Sequence, residues 1–74
     1  MRFLRMTVDK SDNITLSVYT SDGKVYLSKS KGLRENRMLK SYENVTDALK
    51  AFDNTVMDDY YEHGIYYDDF YGSD

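Results

Sequence analysis

The hydrophobic period of this chain changes once, near residue 43, and that change limits the folds open to it. Before it, apolar residues recur at every second position. Leu4, Met6 and Val8 share one side of residues 2–8, with Phe3, Arg5 and Thr7 on the other. Ile14, Leu16 and Val18 share one side of residues 13–20, opposite Thr15, Ser17 and Tyr19. A period of two marks a strand with one buried face. The stretch "TSDGKVY" then supplies Asp22-Gly23, the dipeptide of a tight hairpin, because glycine accepts positive φ without steric cost. A third strand follows at 24–30, with Val25 and Leu27 inward and Tyr26 outward, and a short fourth at 37–42.

After residue 43 the spacing becomes helical. Asn44 is a capping residue, and Asp47 lies near the positive end of the helix dipole. Val45, Ala48, Leu49, Phe52, Val56 and Tyr60 form one apolar stripe, and Gly64 after His63 is a C-terminal stop. The spacing predicts a helix over 45–62. Its stripe would lie on Leu4, Met6, Ile14, Leu16, Val18, Val25 and Leu27. The expected architecture is α+β: a three- to four-stranded antiparallel sheet covered on one face by one main helix. Residues 65–74 form an acidic, tyrosine-rich extension that fits an edge strand, a short helix or an ordered tail equally well.

Seventy-four residues amount to one domain, close to the lower size limit for a self-sufficient core. There is no cysteine, hence no disulfide and no thiolate metal site. No leader is read at the start, and no apolar run reaches the roughly 18 residues of a membrane span. The expectation is a cytoplasmic protein with no membrane partner.

The net charge of −3 hides a division along the chain. Residues 1–42 hold nine Lys or Arg and four acids, a balance of +5; residues 43–74 hold Lys50 and nine acids, a balance of −8. Such asymmetry bears on partners and encounter rates.

Catalysis is not expected. His63 stands alone at a helix end, where a histidine interacts with the last carbonyls. No serine sits in a glycine elbow, and no glycine-rich phosphate loop is present. Asp58-Asp59 and Asp68-Asp69 are carboxylate pairs, but adjacent residues do not face each other on a helix. "DDYYEHGIYYDD" lacks the alternate-position carboxylates of a calcium loop. No cofactor or metal is expected.

Binding is the better reading. Residues 58–74 contain six Tyr or Phe, no Lys and no Arg. Tyrosine gives large contact area at low entropic cost and is enriched at interfaces. Packing of Tyr60, Ile65 and Phe70 on the sheet, with the acids solvating it, accounts for part of this pattern. Carboxylates on an aromatic base also complement a groove lined with Lys and Arg, as in nucleic-acid-binding proteins. The candidate contacts are Asp58, Asp59, Tyr61, Glu62, Tyr66, Asp68 and Asp69. A second candidate surface is the outward sheet face of Phe3, Arg5, Thr15, Ser17, Tyr19 and Tyr26, of which Tyr19 and Tyr26 are the named contacts. A third is the basic segment 29–40, with Lys29, Lys31, Arg34, Arg37 and Lys40.

The stretches "MRFLR", "ITLSVYTSDGK" and "YENVTDALKAF" follow one another in an order similar to that of the small phage-encoded anti-CRISPR proteins, most nearly a type I-F inhibitor built as a sheet packed with helices. The resemblance covers about residues 1–52 and leaves out the C-terminal third. It implies a non-enzymatic inhibitor acting in a bacterial host. In that family the tyrosine ending the second strand docks on the CRISPR surveillance complex; Tyr19 holds the matching place. Together the readings give an inhibitor that binds a nucleic-acid-handling protein, a CRISPR-Cas effector first, and blocks DNA by occlusion or mimicry. In this reading it does not bind nucleic acid itself. The alternatives are a small nucleic-acid-binding module using residues 29–40, or a structural subunit that self-associates as a homodimer through opposite charges.

Overall fold

The computed structural model describes residues 2–32 and 35–72, with side chains throughout except at 35–39. The chain runs β1 (Arg2–Asp9), β2 (Ile14–Ser21), β3 (Lys24–Lys31), β4 (Glu35–Tyr42), α1 (Val45–His63) and β5 (Asp69–Gly72). The fold is α+β. Its antiparallel sheet has five strands in the order β4-β3-β2-β1-β5, one more than expected. The extra strand is β5, which adds the C-terminal segment to the free edge of β1.

Each turn has a local cause. Asp22 and Gly23 have φ of 54° and 79°, so the two-residue β2–β3 connection takes the turn whose twist matches its strands. Between β1 and β2, the Asp9 carboxylate accepts from the backbone N–H groups of Ser11 and Asp12, at 2.9 and 3.4 Å. Asn44 caps α1 by accepting from the Asp47 N–H at 2.9 Å. Gly64 ends it in the left-handed region, and the N–H groups of Gly64 and Ile65 bond back to the carbonyls of Tyr60 and Asp59.

The core is Ile14, Leu16, Val18, Val25 and Leu27 from the sheet, Ala48 and Phe52 from the helix, and Tyr67 from the segment beyond it. Leu4, Tyr42, Leu49, Ala51, Val56 and Ile65 pack around it. Two helix positions depart from the expected stripe: Val45 and Tyr60 are exposed, because the stripe leaves the sheet at both ends of the helix. Asp59 takes the buried place one residue before Tyr60.

The larger correction concerns β1. Its pairing with β2 shifts register between Phe3 and Arg5, so Leu4 is an extra residue. Before the bulge the alternation is as expected: Phe3 faces away from the helix and Leu4 packs on the core. After it every side chain changes sides, since one added residue inverts a period of two. Arg5 pairs with Val18 and Thr7 with Leu16, so both lie on the helix face. The Arg5 guanidinium sits 5.8 Å from the centroid of the Phe52 ring and 3.4 Å from Asp53. Met6 and Val8, expected inward, pair with Ser17 and Thr15 on the open face.

Phe52 is fully buried at the centre of the helix–sheet contact. Truncating a phenylalanine in such a place costs about 3–5 kcal/mol, against a total of about 4–11 kcal/mol for a domain of this size. Phe52→Ala is expected to lower the urea midpoint severely or leave the chain unfolded, as circular dichroism during urea titration will read.

Candidate docking surfaces

The end of α1 and the segment after it are held by one carboxylate. Asp59 is only 4% exposed. Its Oδ2 accepts a hydrogen bond from the Tyr67 hydroxyl at 2.7 Å and faces Lys29 Nζ at 2.8 Å. The helix, β3 and the returning chain therefore meet at one oxygen. Tyr67 is also 4% exposed. Its phenol is held well above its ordinary range, by burial first, then by the bond to Asp59 and the charges of Asp59 and Asp9. Beyond it, the Asp68 N–H donates to the Val8 carbonyl at 3.2 Å, and β5 begins. On β5, Lys10 Nζ lies 2.8 Å from Asp69 Oδ2, and this carboxylate raises the Lys10 pKa.

This anchoring divides the expected contact residues. Asp59 is withdrawn from the surface: its charge is met inside the protein, where a partner cannot reach it. Asp69 is half-buried and bound to Lys10. Asp58, Tyr61, Glu62, Tyr66 and Asp68 are exposed. Tyr60, Tyr61 and Tyr66 cluster, with ring centroids 5.1 Å apart for Tyr60–Tyr61 and 6.1 Å for Tyr60–Tyr66. Tyr61 is 75% exposed. Together with Val56, Met57, Ile65 and Tyr67 they line a hollow of about 220 Å³. Asp58 shares a side of the helix with Tyr61 at i−3, while Glu62 and Asp68 adjoin Tyr61 and Tyr67 in the chain; none of the three carboxylates lines the hollow itself.

The anchor itself was not expected. Of the three residues expected to fix the C-terminus, Ile65 packs against the core, whereas Tyr60 and Phe70 are exposed. Tyr67 takes their place. A clue was available: Asp59 lies three residues after Val56 and seven after Phe52, which are positions of the apolar stripe.

Tyr19 and Tyr26 stand on the other side of the sheet. Their rings stack at 5.4 Å, and Phe3 joins Tyr19 at 5.8 Å. The structure does not bring these two tyrosines together with the acidic corner; the sheet lies between them. Of the basic segment, Lys29 is engaged with Asp59, and Lys40 Nζ sits 5.4 Å from the centroid of the Tyr42 ring. Arg34 and the side chain of Arg37 lie outside the described residues.

A hollow of about 640 Å³ is an open shelf between the β2–β3 turn and the start of α1, lined by Arg2, Asp22, Lys24 and Glu43 among others. Among the described residues, no three His, Asp or Glu side chains gather as a metal ion requires, and no helix is long and apolar enough to cross a membrane. No known protein family, no curated protein and no solved structure matches the chain.

The Tyr67–Asp59 bond can be checked through pH. A raised folded-state pKa means that the neutral phenol's contribution is complete below the unfolded pKa, about 10, and is lost as pH rises above it. Tyr67→Phe is expected to cost about 1.5–3 kcal/mol at neutral pH, the range for a hydrogen bond to a charged group. Above pH ~10 the wild type is expected to lose about 1.4 kcal/mol per pH unit relative to the variant. Paired urea titrations from neutral to alkaline pH measure both.

Proposed function

We propose that the chain is a non-enzymatic binding protein that docks its acidic tyrosine corner into a Lys/Arg-lined groove on another protein. The observation that carries this reading is the corner itself, where exposed tyrosines wall an apolar hollow and three exposed carboxylates, Asp58, Glu62 and Asp68, stand next to its lining residues in the chain. Aliphatic stems of lysine and arginine fit such a hollow, and their charged ends then meet Asp58, Glu62 and Asp68. Grooves of that character belong chiefly to proteins that handle nucleic acid. An occupant of the groove excludes the phosphates that it normally holds, which makes the chain an inhibitor by occlusion. The sequence resemblance over residues 1–52 names a CRISPR-Cas effector as the first partner to test. Asp58, Tyr61, Glu62, Tyr66 and Asp68 carry the contact. Asp59 and Tyr67 position it from beneath.

The test is competition. The chain is expected to displace duplex DNA from an effector captured from a CRISPR-bearing bacterium, and to give no gel shift with DNA alone. Asp58→Lys with Asp68→Lys reverses two of these exposed charges without touching the anchor. This pair is expected to weaken displacement by about ten- to a hundredfold, two close charge pairs at about 1 kcal/mol or more each. Unchanged displacement by the double variant, or DNA binding by the chain itself, rejects the reading.

A further inference from the structure

The charges of the sheet are unevenly divided between its faces, and this points to a second interface. A sheet covered on one face by a helix normally turns its charged residues to the water on the other. Here the apolar core lies under the helix as usual, but most of the charge lies around it on that same face. The rows on the helix face place charges around the core: Arg2 beside Thr20 and Val25; Arg5 beside Val18, Leu27 and Lys40; Lys29 beside Leu16; Asp9 and Lys31 beside Ile14. The rows on the open face are Val8–Thr15–Ser30, Met6–Ser17–Ser28 and Phe3–Tyr19–Tyr26. The β4 residue paired with Tyr26, Ser41, is uncharged too. Among the described residues, Lys24 at one end and the Lys10–Asp69 pair at the other bring charge to this face.

In a chain with 31% charged residues, this face carries charge only at its ends, and Ser17 and Ser28 are buried between its larger side chains. Phe3 stands 53% exposed on it, and a groove of about 190 Å³ runs between the aromatic row and the hydroxyl rows.

We propose that this face is covered by the same face of a second copy, giving a twofold sheet-to-sheet dimer. Charge selects the occupant. A charged patch repels its own image, whereas a twofold interface must be self-complementary. This patch has almost no charge to repel, and it offers nothing to an acidic or a basic partner. The size agrees. Four strands at about 4.8 Å spacing and eight residues at about 3.3 Å give roughly 500 Å² per copy. The pair then buries about 1,000 Å² before side-chain relief is counted, which reaches the threshold of a specific interface. Sheets stack about 10 Å apart, so Phe3, Tyr19 and Tyr26 of each copy fill the space over the other's Thr15, Ser17, Ser28 and Ser30.

Sedimentation equilibrium of the full chain over a range of concentrations, at low and at high salt, tests this. A dimer that persists or tightens as salt rises is expected. Tyr19→Lys and, separately, Thr15→Lys place a like charge on each copy's face and are expected to weaken it by about tenfold or more. Circular dichroism confirms that each variant is folded. Asp58→Lys, at the acidic corner, is expected to leave the dimer unchanged. A monomer at every concentration overturns the proposal, as does a dimer that salt dissolves or one that survives both lysine variants.

Discussion

The pairing of Lys29, Asp59 and Tyr67 is the contact on which the C-terminal half depends. A buried carboxylate without partners is strongly unfavourable, and one with a cation and a hydroxyl donor is held in a single geometry. Asp59 thus fixes three things together. It seats the last turn of α1 on β3, draws the chain beyond Gly64 back under the helix, and sets the point from which β5 starts. Without that seat, residues 65–72 would be a solvated acidic tail. With it, the tyrosines on either side of Gly64 come within 6.1 Å of each other and form a wall. The buried ionic contact and the exposed aromatic corner are two sides of the same short segment.

A second constraint acts at the opposite end of the chain. The extra residue at Leu4 turns Arg5, Thr7 and Asp9 toward the helix and Met6 and Val8 away from it. The helix packs on β2, β3 and β4 and leans away from β1, so there is room at that edge for polar groups. Thr7 uses it to donate to the Asp69 carbonyl at 2.7 Å, which fastens β5. Arg5 uses it to reach Asp53. The bulge therefore makes the fifth strand's docking site, and in doing so moves two apolar side chains to the open face.

These two features also mark where sequence reasoning stopped working. The elements were legible because their signals are local: Asp22-Gly23 for the hairpin, Asn44 and Gly64 for the helix ends, period two against period 3.6 between them. Strand and helix limits fall within a residue or two of those signals. The faces of β1 were legible only up to Leu4, because a bulge is a property of pairing and leaves no mark in a single strand's alternation. Asp59 was read as a surface acid because its neighbours Asp58, Glu62 and Asp68 are surface acids. What separates it is a lysine 30 residues earlier in the chain, and no local pattern expresses that distance. The exposed members, Asp58, Tyr61, Glu62, Tyr66 and Asp68, were legible because their composition is a surface signal.

The two surfaces lie on opposite sides of the sheet, and this bears on how a small protein can act as a strong binder. Four exposed tyrosine and methionine side chains and three exposed carboxylates form a modest contact area, and rim charges add rate more than affinity. Association through the open sheet faces leaves α1 and its acidic end pointing outward on both copies. The proposed dimer would carry two equivalent corners at a fixed separation, without any linker to order. When both meet sites on one partner or on repeated subunits, the second contact forms at high effective concentration, and avidity exceeds either single affinity by about 10²–10⁴. The proposed dimer face, charged only at its ends, and the proposed acidic docking corner do not compete, since neither surface complements the other. The Leu4 bulge separates them by turning Arg5 to the helix side and Met6 and Val8 to the open face.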